Sequence, residues 1–312
     1  MKTITKIFPI LILLFASSFI MICAEFDIRD EAAFRKLIPP DAKLEKLAGG
    51  MRFTEGPVWV NANGGFLIFS DIPANQLKKW SKSGGLTTFR EPSNNANGNT
   101  VDRQGRLVTV EHGGRRIAIT ESDGVVKTVV DSYNGKRFNS PNDVVVKSDG
   151  TIWFTDPPYG IKPEESELKT NYVFCYNPKT KELKVVASDF DRPNGLCFSP
   201  DEKLLYIADS GKPRHIRVFE VTPDNTLKNG REFCKIDKGG PDGIRCDSNG
   251  NIWSSAGDGI HIFAPDGKLI GKILCPETPS NLCFGGDDGK TLFITARSSL
   301  YAIKTLVTGA VK

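Results

Sequence analysis

The 312-residue sequence predicts an all-β fold, a six-bladed β-propeller, on three observations. One phrase, a tight turn followed by a β-branched or aromatic strand, occurs six times along the chain. The first four copies end 40, 45 and 53 residues apart, which is the length of one four-stranded propeller blade. Each interval has room for two more strands, and composition does not shift between residues 45 and 310. One closed ring therefore explains the pattern better than two separate domains.

Each copy of the phrase is typical of half a hairpin. Five copies begin with Gly after Asn, Asp or Gln, which supplies the positive φ of a tight turn. Lys43–Leu47 is expected to close the ring by pairing with Ser299–Ile303, because a closed ring leaves few exposed strand edges. The six copies span residues 63–71, 104–111, 149–156, 201–209, 249–255 and 288–295.

Residues 1–24 are typical of a cleaved signal peptide. Lys2 and Lys6 precede an apolar run that ends at Ala24, before the polar Glu25. A membrane anchor is the alternative, but Ala24 is a small residue suited to cleavage and no positive cluster follows it. The sequence therefore predicts a secreted or periplasmic protein with no membrane partner after cleavage. A lead-in segment at residues 25–44, expected as helix or loop, would precede the propeller at residues 45–312.

Composition excludes several kinds of function. The formal net charge is only +4, and no Lys/Arg run is interleaved with aromatic residues, so nucleic acid is not an expected partner. The three histidines are scattered and no cysteine pair has CxxC spacing, so a His/Cys metal or redox site is not expected. Most of the six cysteines after residue 24 lie in apolar runs, which favours buried thiols over disulfides.

A column of polar residues stands 12 to 16 residues before the end of each phrase. The strand that follows this position is expected to be innermost, so the column would form a ring around the central channel. Asn and Asp beside Gly and Pro also serve as turn residues, but turns do not require the same place in every repeat. Such oxygen donors predict one divalent cation, Ca²⁺ first, with Mg²⁺, Mn²⁺ and Zn²⁺ as alternatives. The column comprises Glu55, Asn99, Asn142, Asn194, Asp242 and Asn281.

Five motifs resemble those of the SMP-30/gluconolactonase/LRE-like family, in its gluconolactonase branch. They are FTEGPVW (residues 53–59), NSPNDV (139–144), FTDPPYG (154–160), RPNGL (192–196) and PDGI (241–244). The resemblance covers nearly all of the chain from about residue 45. It implies a six-bladed propeller with one catalytic divalent cation held by Glu55, Asn142, Asn194 and Asp242. Animal members carry an Arg two residues before the position of Asn142, where Ser140 stands here, so the sugar specificity carried by that Arg is not implied.

The resemblance implies a metal-dependent lactone hydrolase that opens a sugar lactone by metal-activated attack of water. Asp242 is the expected base, with Glu55 as the alternative, unless both serve only as ligands. The expected partner is a small-molecule lactone, and no oligomeric state is predicted. Alternative functions are hydrolysis of another ester or a phosphotriester at the same metal site, and a non-catalytic, metal-stabilised binding propeller.

Four further side chains are expected to contact the substrate at the mouth of the channel. Asn99 and Asn281 belong to the polar column but not to the four ligands. His112 and Tyr159 follow the strands of two phrases, where rigid scaffolds often build sites. A solvated loop histidine and a packed loop aromatic are the alternatives for these two.

Overall fold

Among the described residues, six antiparallel sheets of four or five strands are arranged around a central axis, which confirms the predicted six-bladed β-propeller. The computed structural model describes residues 20–22 and 25–310. The blades follow one another along the chain, and within each blade consecutive strands pair as hairpins. No helix in this described part is both long and apolar enough to cross a membrane.

In the described part of the chain, three short strands and one short helix come before blades 1 and 2. The N-terminal segment contains β1 (Ile20–Ile22), β2 (Glu25–Ile28), helix α1 (Glu31–Phe34) and β3 (Leu44–Ala48). Blade 1 contains β4 (Thr54–Val60), β5 (Phe66–Asp71), β6 (Gln76–Ser81) and β7 (Gly85–Arg90). Blade 2 contains β8 (Ala96–Val101), β9 (Leu107–Glu111), β10 (Arg116–Thr120) and β11 (Val126–Val130), and a small hairpin of β12 (Ser132–Tyr133) and β13 (Lys136–Arg137) follows it.

Blade 3 contains β14 (Val144–Val146), β15 (Ile152–Asp156), β16 (Tyr172–Asn177) and β17 (Glu182–Ala187), with a 3₁₀ turn at Pro163–Glu165. Blade 4 contains β18 (Pro193–Phe198), β19 (Leu204–Asp209), β20 (His215–Val221) and β21 (Leu227–Lys235). Blade 5 contains β22 (Ile244–Cys246), β23 (Ile252–Ser255), β24 (Gly259–Phe263) and β25 (Leu269–Leu274). Blade 6 contains β26 (Pro279–Gly285), β27 (Thr291–Ala296) and β28 (Ser299–Lys304).

The ring is closed by a strand from the N-terminal part of the chain. β3 pairs antiparallel with β28, with Lys46 opposite Tyr301 and Glu45 opposite Ala302. The predicted pairing of Lys43–Leu47 with Ser299–Ile303 is therefore confirmed. Because the last blade takes strands from both ends of the chain, the ring opens only if that sheet is broken.

The segment before β3 adds a strand to blade 5. β2 pairs antiparallel with β25, and the fully buried Phe34 of α1 packs on Phe26 with ring centroids 5.3 Å apart. A helix or loop was expected here, and the short α1 is present, but the strand was not expected. Of the predicted signal peptide, residues 1–19, 23 and 24 lie outside the described residues. The backbone of 20–22 pairs with β3.

The first strand of every blade borders the central axis. β4, β8, β14, β18 and β22 each lie against the first strand of the next blade, and β26 returns to β4. The prediction that the strand after the polar column is innermost is therefore confirmed. Apolar side chains fill the spaces between blades, as where the buried Trp153 of blade 3 meets Phe198 of blade 4. The six cysteines of the described residues are unpaired, and five of them are buried.

Candidate active site

The strand register identifies the equivalent position in each inner strand. Thr54 pairs with Asp71, and Ala96 with Glu111, at the same end of the two ladders, so Glu55 and Asn97 occupy equivalent places. The same comparison in the other four blades gives one residue each. The observed column is Glu55, Asn97, Asn142, Asn194, Asp242 and Ser280.

Two members of the predicted column are therefore wrong. Asn99 lies two residues beyond the equivalent position of blade 2, and Asn281 lies one residue beyond that of blade 6. The physical reason is that the inner strands pair irregularly near this position, so a count along the sequence does not hold the register. The four residues predicted as metal ligands all stand in the observed column.

Asn99 joins blades 1 and 2. Its Nδ2 lies 2.8 Å from the Gly56 carbonyl oxygen, 2.9 Å from Ser70 Oγ and 2.9 Å from the Asn97 carbonyl oxygen. Thr109 Oγ1 donates to its Oδ1 at 3.1 Å. Because the Asn99 amide is engaged within the protein, the structure gives no support to its predicted substrate contact.

Asn281 orients one of the two column carboxylates. Its Nδ2 donates to Glu55 Oε2 at 3.0 Å and lies 3.4 Å from Asp143 Oδ2. Register places Asn281 and Asp143 at the position after the column, where the other four blades have Gly. A Cβ at Gly243 would collide with the Asn281 side chain. The central channel therefore has room for the side chains of Asn281 and Asp143 only because glycines face them.

Glu55 is a buried carboxylate held from one side. Its Oε2 accepts hydrogen bonds from the Gly56 amide at 2.6 Å and from Asn281, and no donor among the described residues lies within hydrogen-bonding distance of Oε1. Burial raises the pKa of Glu55 well above its ordinary value, and the negative charges of Asp242 and Asp143 raise it further. The Oε1 atom is therefore available to a ligand.

Asp242 is the second column carboxylate and stands in blade 5. Burial raises the pKa of its carboxyl group, the negative charge of Asp143 adds to the rise, and the neighbouring Asn194 amide opposes it. The Asn142 side chain is also buried, and it forms no hydrogen bond with any other residue in the described ranges. Its amide atoms are not among the fully buried atoms without partners, so they keep contact with solvent, and Asn142 is a candidate for ligand contact.

The charges around the column fit a divalent cation. The negative charges of Asp242 and Asp143 act on Glu55 although the three carboxylates do not converge on one point, and Arg245 Nη1 lies 3.4 Å from Asp143 Oδ2. One guanidinium against three carboxylates leaves two negative charges when all are ionised, which a divalent cation would balance. In residues 20–22 and 25–310 no three His, Cys, Asp or Glu side chains converge as ligands, so amide oxygens would have to complete the set.

The backbone beneath the column is fixed by bonds between blades. Gly98 N donates to the Asn142 carbonyl oxygen at 2.9 Å, and Gly195 N donates to that of Asp242 at 3.1 Å. Thr155 Oγ1 donates to the Asn194 carbonyl oxygen at 2.8 Å. The side chains of the column therefore start from a rigid ring, which is the condition for a preorganised site.

His112 lies behind the column. It is 6% exposed, and its Nε2 is 3.1 Å from Nδ2 of Asn97, whose Oδ1 is buried without a partner among the described residues. Burial lowers the pKa of His112 to about 4, so the ring is neutral near pH 7. A neutral ring that accepts from the Asn97 amide carries its proton on Nδ1. His112 thus orients Asn97, and its direct contact with substrate stays a prediction.

Asn97 was missed by the sequence analysis, although a signal for it exists. In four blades the column residue is followed directly by Gly, as in Glu55-Gly56 and Asn97-Gly98. A Cβ at Gly98 would come 2.7 Å from the Asn142 carbonyl oxygen of the next blade. The polar-Gly pair is therefore a packing requirement of the inner ring, and it marks the column better than distance from the phrase does.

Tyr159 lies at the mouth of the channel. Its side chain is beside Ser210 and Asn194, and burial together with the negative charge of Asp242 raises its pKa. The loop that carries it is tied down by Ser140, whose Oγ donates to the Pro157 carbonyl oxygen at 2.6 Å and accepts from Gly160 N at 2.8 Å. This position agrees with the predicted substrate contact of Tyr159, which stays a prediction.

Comparisons with known proteins identify relatives of this chain. The sequence model described as the SMP-30/Gluconolactonase/LRE-like region matches residues 53–298. A gluconolactonase of Zymomonas mobilis subsp. mobilis is 39% identical over 297 residues, which cover 85% of this chain and 82% of that protein.

Solved structures show the same propeller. A gluconolactonase from Xanthomonas campestris has a TM-score of 0.87 at 36% identity and covers 94% of this chain and 99% of its own. A calcium-binding regucalcin from Agrobacterium tumefaciens, at 20% identity, has a TM-score of 0.71 over 84% of this chain and 95% of its own, which shows the shared fold. The chain belongs to the SMP-30/gluconolactonase/LRE-like family.

Proposed function

We propose that this protein is a metal-dependent lactone hydrolase that opens a sugar lactone such as glucono-1,5-lactone. Two relatives described as gluconolactonases, at 39% and 36% identity, support a lactonase activity over most of the chain. The observation that carries the proposal is the column itself, where two carboxylates and an unpartnered Asn142 amide meet on the axis of a rigid ring. This set suits a reaction in which water is deprotonated beside a polarised ester.

Glu55, Asp242, Asn142 and Asn194 are the residues that would hold the cation, with Ca²⁺ the ion that best suits a carboxylate and amide oxygen set. When bound, a divalent cation supplies Lewis-acid polarisation of the lactone carbonyl. Each of these side chains offers an oxygen, and none offers sulfur or imidazole nitrogen.

Asp242 is the better placed of the two carboxylates to act as the base. Glu55 Oε2 is held by the Gly56 amide and by Asn281, whereas the polar group beside the Asp242 carboxylate is the Asn194 amide. Asp242 would take a proton from the attacking water and return it to the ring oxygen as the ester bond breaks. The oxygen of that water stays on the carbonyl carbon and its proton ends on the ring oxygen, so the product is the open hydroxy acid.

The proposal is tested by a pH-indicator assay of glucono-1,5-lactone with and without a chelator. We expect chelation to abolish turnover and added Ca²⁺ to restore it. Asp242→Asn is expected to lower kcat by at least about a hundredfold, which is the usual contribution of a general base. Asp201→Asn, in an exposed turn of blade 4, is the matched control and should keep wild-type turnover.

Turnover that survives exhaustive chelation would contradict metal dependence. A large loss of melting temperature on chelation, without hydrolysis of any lactone, would instead favour a binding propeller stabilised by its ion. Hydrolysis of aryl esters or phosphotriesters but not lactones would favour the other hydrolase alternatives. Each of these outcomes would therefore distinguish one of the alternative functions from the proposed one.

We also propose that the protein is exported and loses residues 1–24. The support is the sequence pattern of Lys2, Lys6 and an apolar run ending at Ala24. N-terminal sequencing of protein recovered outside the cytoplasm should begin at Glu25. Recovery of the full-length chain from the cytoplasm alone would contradict export.

A further inference from the structure

A basic cavity lies beside the candidate active site, on the rim of blade 4. It has a volume of about 560 Å³. Three of its lining residues are basic and one is acidic. They are Asp191, Arg192, Ser210, Gly211, Lys212 and Arg214.

The three basic side chains are not neutralised by neighbours. Among residues 20–22 and 25–310, no carboxylate lies within 4 Å of the charged groups of Arg192, Lys212 or Arg214, although Arg217 nearby pairs with Asp189 at 2.9 Å. The one acid of the lining, Asp191, accepts a hydrogen bond at Oδ2 from the Lys212 backbone amide at 2.7 Å. The cavity therefore presents an excess of positive charge to whatever occupies it.

Two residues of the cavity lining, Arg192 and Ser210, also contact residues of the candidate active site. The Arg192 guanidinium lies 5.4 Å from the centre of the Tyr159 ring, and Ser210, which lines the cavity, is also beside the Tyr159 side chain. Ser210 Oγ donates to the carbonyl oxygen of Pro241 at 2.5 Å, directly before Asp242. Arg192 and Ser210 therefore connect the basic cavity with Tyr159 and with the backbone next to Asp242.

We propose that the lactone substrate carries an anionic group, a phosphate, sulfonate or carboxylate, at the end remote from its ring carbonyl. This inference rests on the proposed lactonase function and specifies its substrate class. Three cations around one cavity favour an anion over a neutral hydroxymethyl group by charge-assisted hydrogen bonds and by attraction during approach. Because these side chains are exposed, the preference must weaken as salt rises.

The test compares kcat/KM for glucono-1,5-lactone, its 6-phospho and 6-sulfo derivatives, and glucaro-1,5-lactone. At low salt we expect at least one anionic lactone to exceed the neutral lactone by tenfold or more. Lys212→Gln and Arg214→Gln should each lower that ratio severalfold, and 0.5 M KCl should lower it further. The three anions identify which group the cavity prefers. Lys179→Gln, on an exposed outer turn of blade 3, is the control and should keep the wild-type ratio.

Equal kcat/KM for neutral and anionic lactones, or an equal loss for both in the two variants, would overturn the inference while leaving the lactonase function intact. Calorimetric binding of 6-phosphogluconate and gluconate to the wild-type protein gives a readout that does not depend on turnover. Tighter binding of 6-phosphogluconate that is lost in Lys212→Gln, without hydrolysis of any lactone, would support the cavity and contradict the proposed function. Absence of that difference in binding would overturn the inference.

Discussion

His112 shows how one residue links the site to the stability of the fold. Its ring is nearly inaccessible to solvent and meets the Asn97 amide at 3.1 Å. Gly160 lies against it so closely that a Cβ there would come 2.7 Å from His112 Cγ. The neutral ring is therefore packed from one side and hydrogen-bonded from the other, and a proton added at Nε2 would face the donor Nδ2 of Asn97 instead of an acceptor.

We expect His112 to make the fold sensitive to acid. Its pKa is lowered to about 4 in the folded protein, against about 6.5 in the unfolded chain, so below pH 6.5 the unfolded state binds the proton first. Above pH 6.5 the folded protein keeps the whole contribution of the neutral His112 to its free energy of unfolding. It loses up to about 3 kcal/mol of that free energy as the pH falls to 4. The His112→Gln variant has no group that titrates at this place, so it does not lose this part of its stability as the pH falls. Chemical denaturation of both proteins at pH 7 and pH 4.5 measures it.

At pH 7 the variant should be the less stable protein, and the difference should narrow at pH 4.5. The buried His261, whose pKa is also lowered by burial, remains in both proteins, so some acid sensitivity persists in the variant. A stability difference that stays the same at the two pH values would contradict this role of His112.

The residues of the site divide into those that a sequence pattern can reveal and those that it cannot. Glu55 and Asp242 recur in register with a Gly after them, because the inner ring leaves no room for a side chain there. Asp143 and Arg245 form their ion pair across the tunnel from blades 3 and 5, 102 residues apart. No local spacing predicts such a pair, since it depends on how the closed ring faces the two blades toward each other.

At the scale of elements, the strand end of the repeated phrase holds the column residues in place, although no column residue belongs to the phrase itself. In blades 1, 3 and 4 the phrase ends in an Asp whose carboxylate accepts hydrogen bonds from backbone amides of the segment that leads into the inner strand of the same blade. Asp209 accepts from Asp191 at 2.9 Å and from Arg192 at 2.8 Å, just before Asn194. Asp71 accepts in the same way from the backbone of residues 52 and 53, before Glu55. These carboxylates are positioning residues, which explains why they recur at strand ends.

The inner strands approach one another too closely for a side chain at the position after the column. A Cβ at Gly195 would come 2.6 Å from the Ile244 amide nitrogen and closer still to the Asp242 carbonyl oxygen. We expect Gly195→Ala to lower the free energy of unfolding by about 1–3 kcal/mol, because backbone of the next blade cannot yield as a flexible side chain does. It should also lower lactonase kcat by displacing Asn194 and Asp242.

Gly49→Ala is the control for this prediction. A Cβ there would meet the Lys46 side-chain end at 3.0 Å, and that long chain can move aside. Thermal denaturation and the lactone assay of the two variants give the comparison. Equal stability of the two variants would show that the inner ring has more room than the structure indicates.

At the scale of the whole molecule, the fold was predictable because each blade repeats the same phrase at blade length. Ring closure was predictable too, since the pairing of Lys43–Leu47 with Ser299–Ile303 leaves few exposed strand edges. The addition of β2 to blade 5 was not, because it depends on Phe26 and Phe34 covering an outer surface that exists only after the blades have assembled.

The closure of the ring limits where the chain can begin. A chain that starts at Glu25 keeps β2, α1 and β3, whereas one that starts at Gly50 loses the fourth strand of blade 6 and the buried Phe34, Ile38 and Leu44. We expect the first chain to fold and to hydrolyse lactone as the full-length protein does. The second should melt at a much lower temperature or aggregate, because the β28 edge and the apolar faces of blades 5 and 6 become exposed. Gel filtration, thermal melting and the lactone assay distinguish these outcomes. A chain from Gly50 with unchanged melting temperature would mean that the ring holds without its closing strand. A chain from Glu25 that fails to fold would mean that residues 1–24 are part of the folded protein, which would contradict their removal.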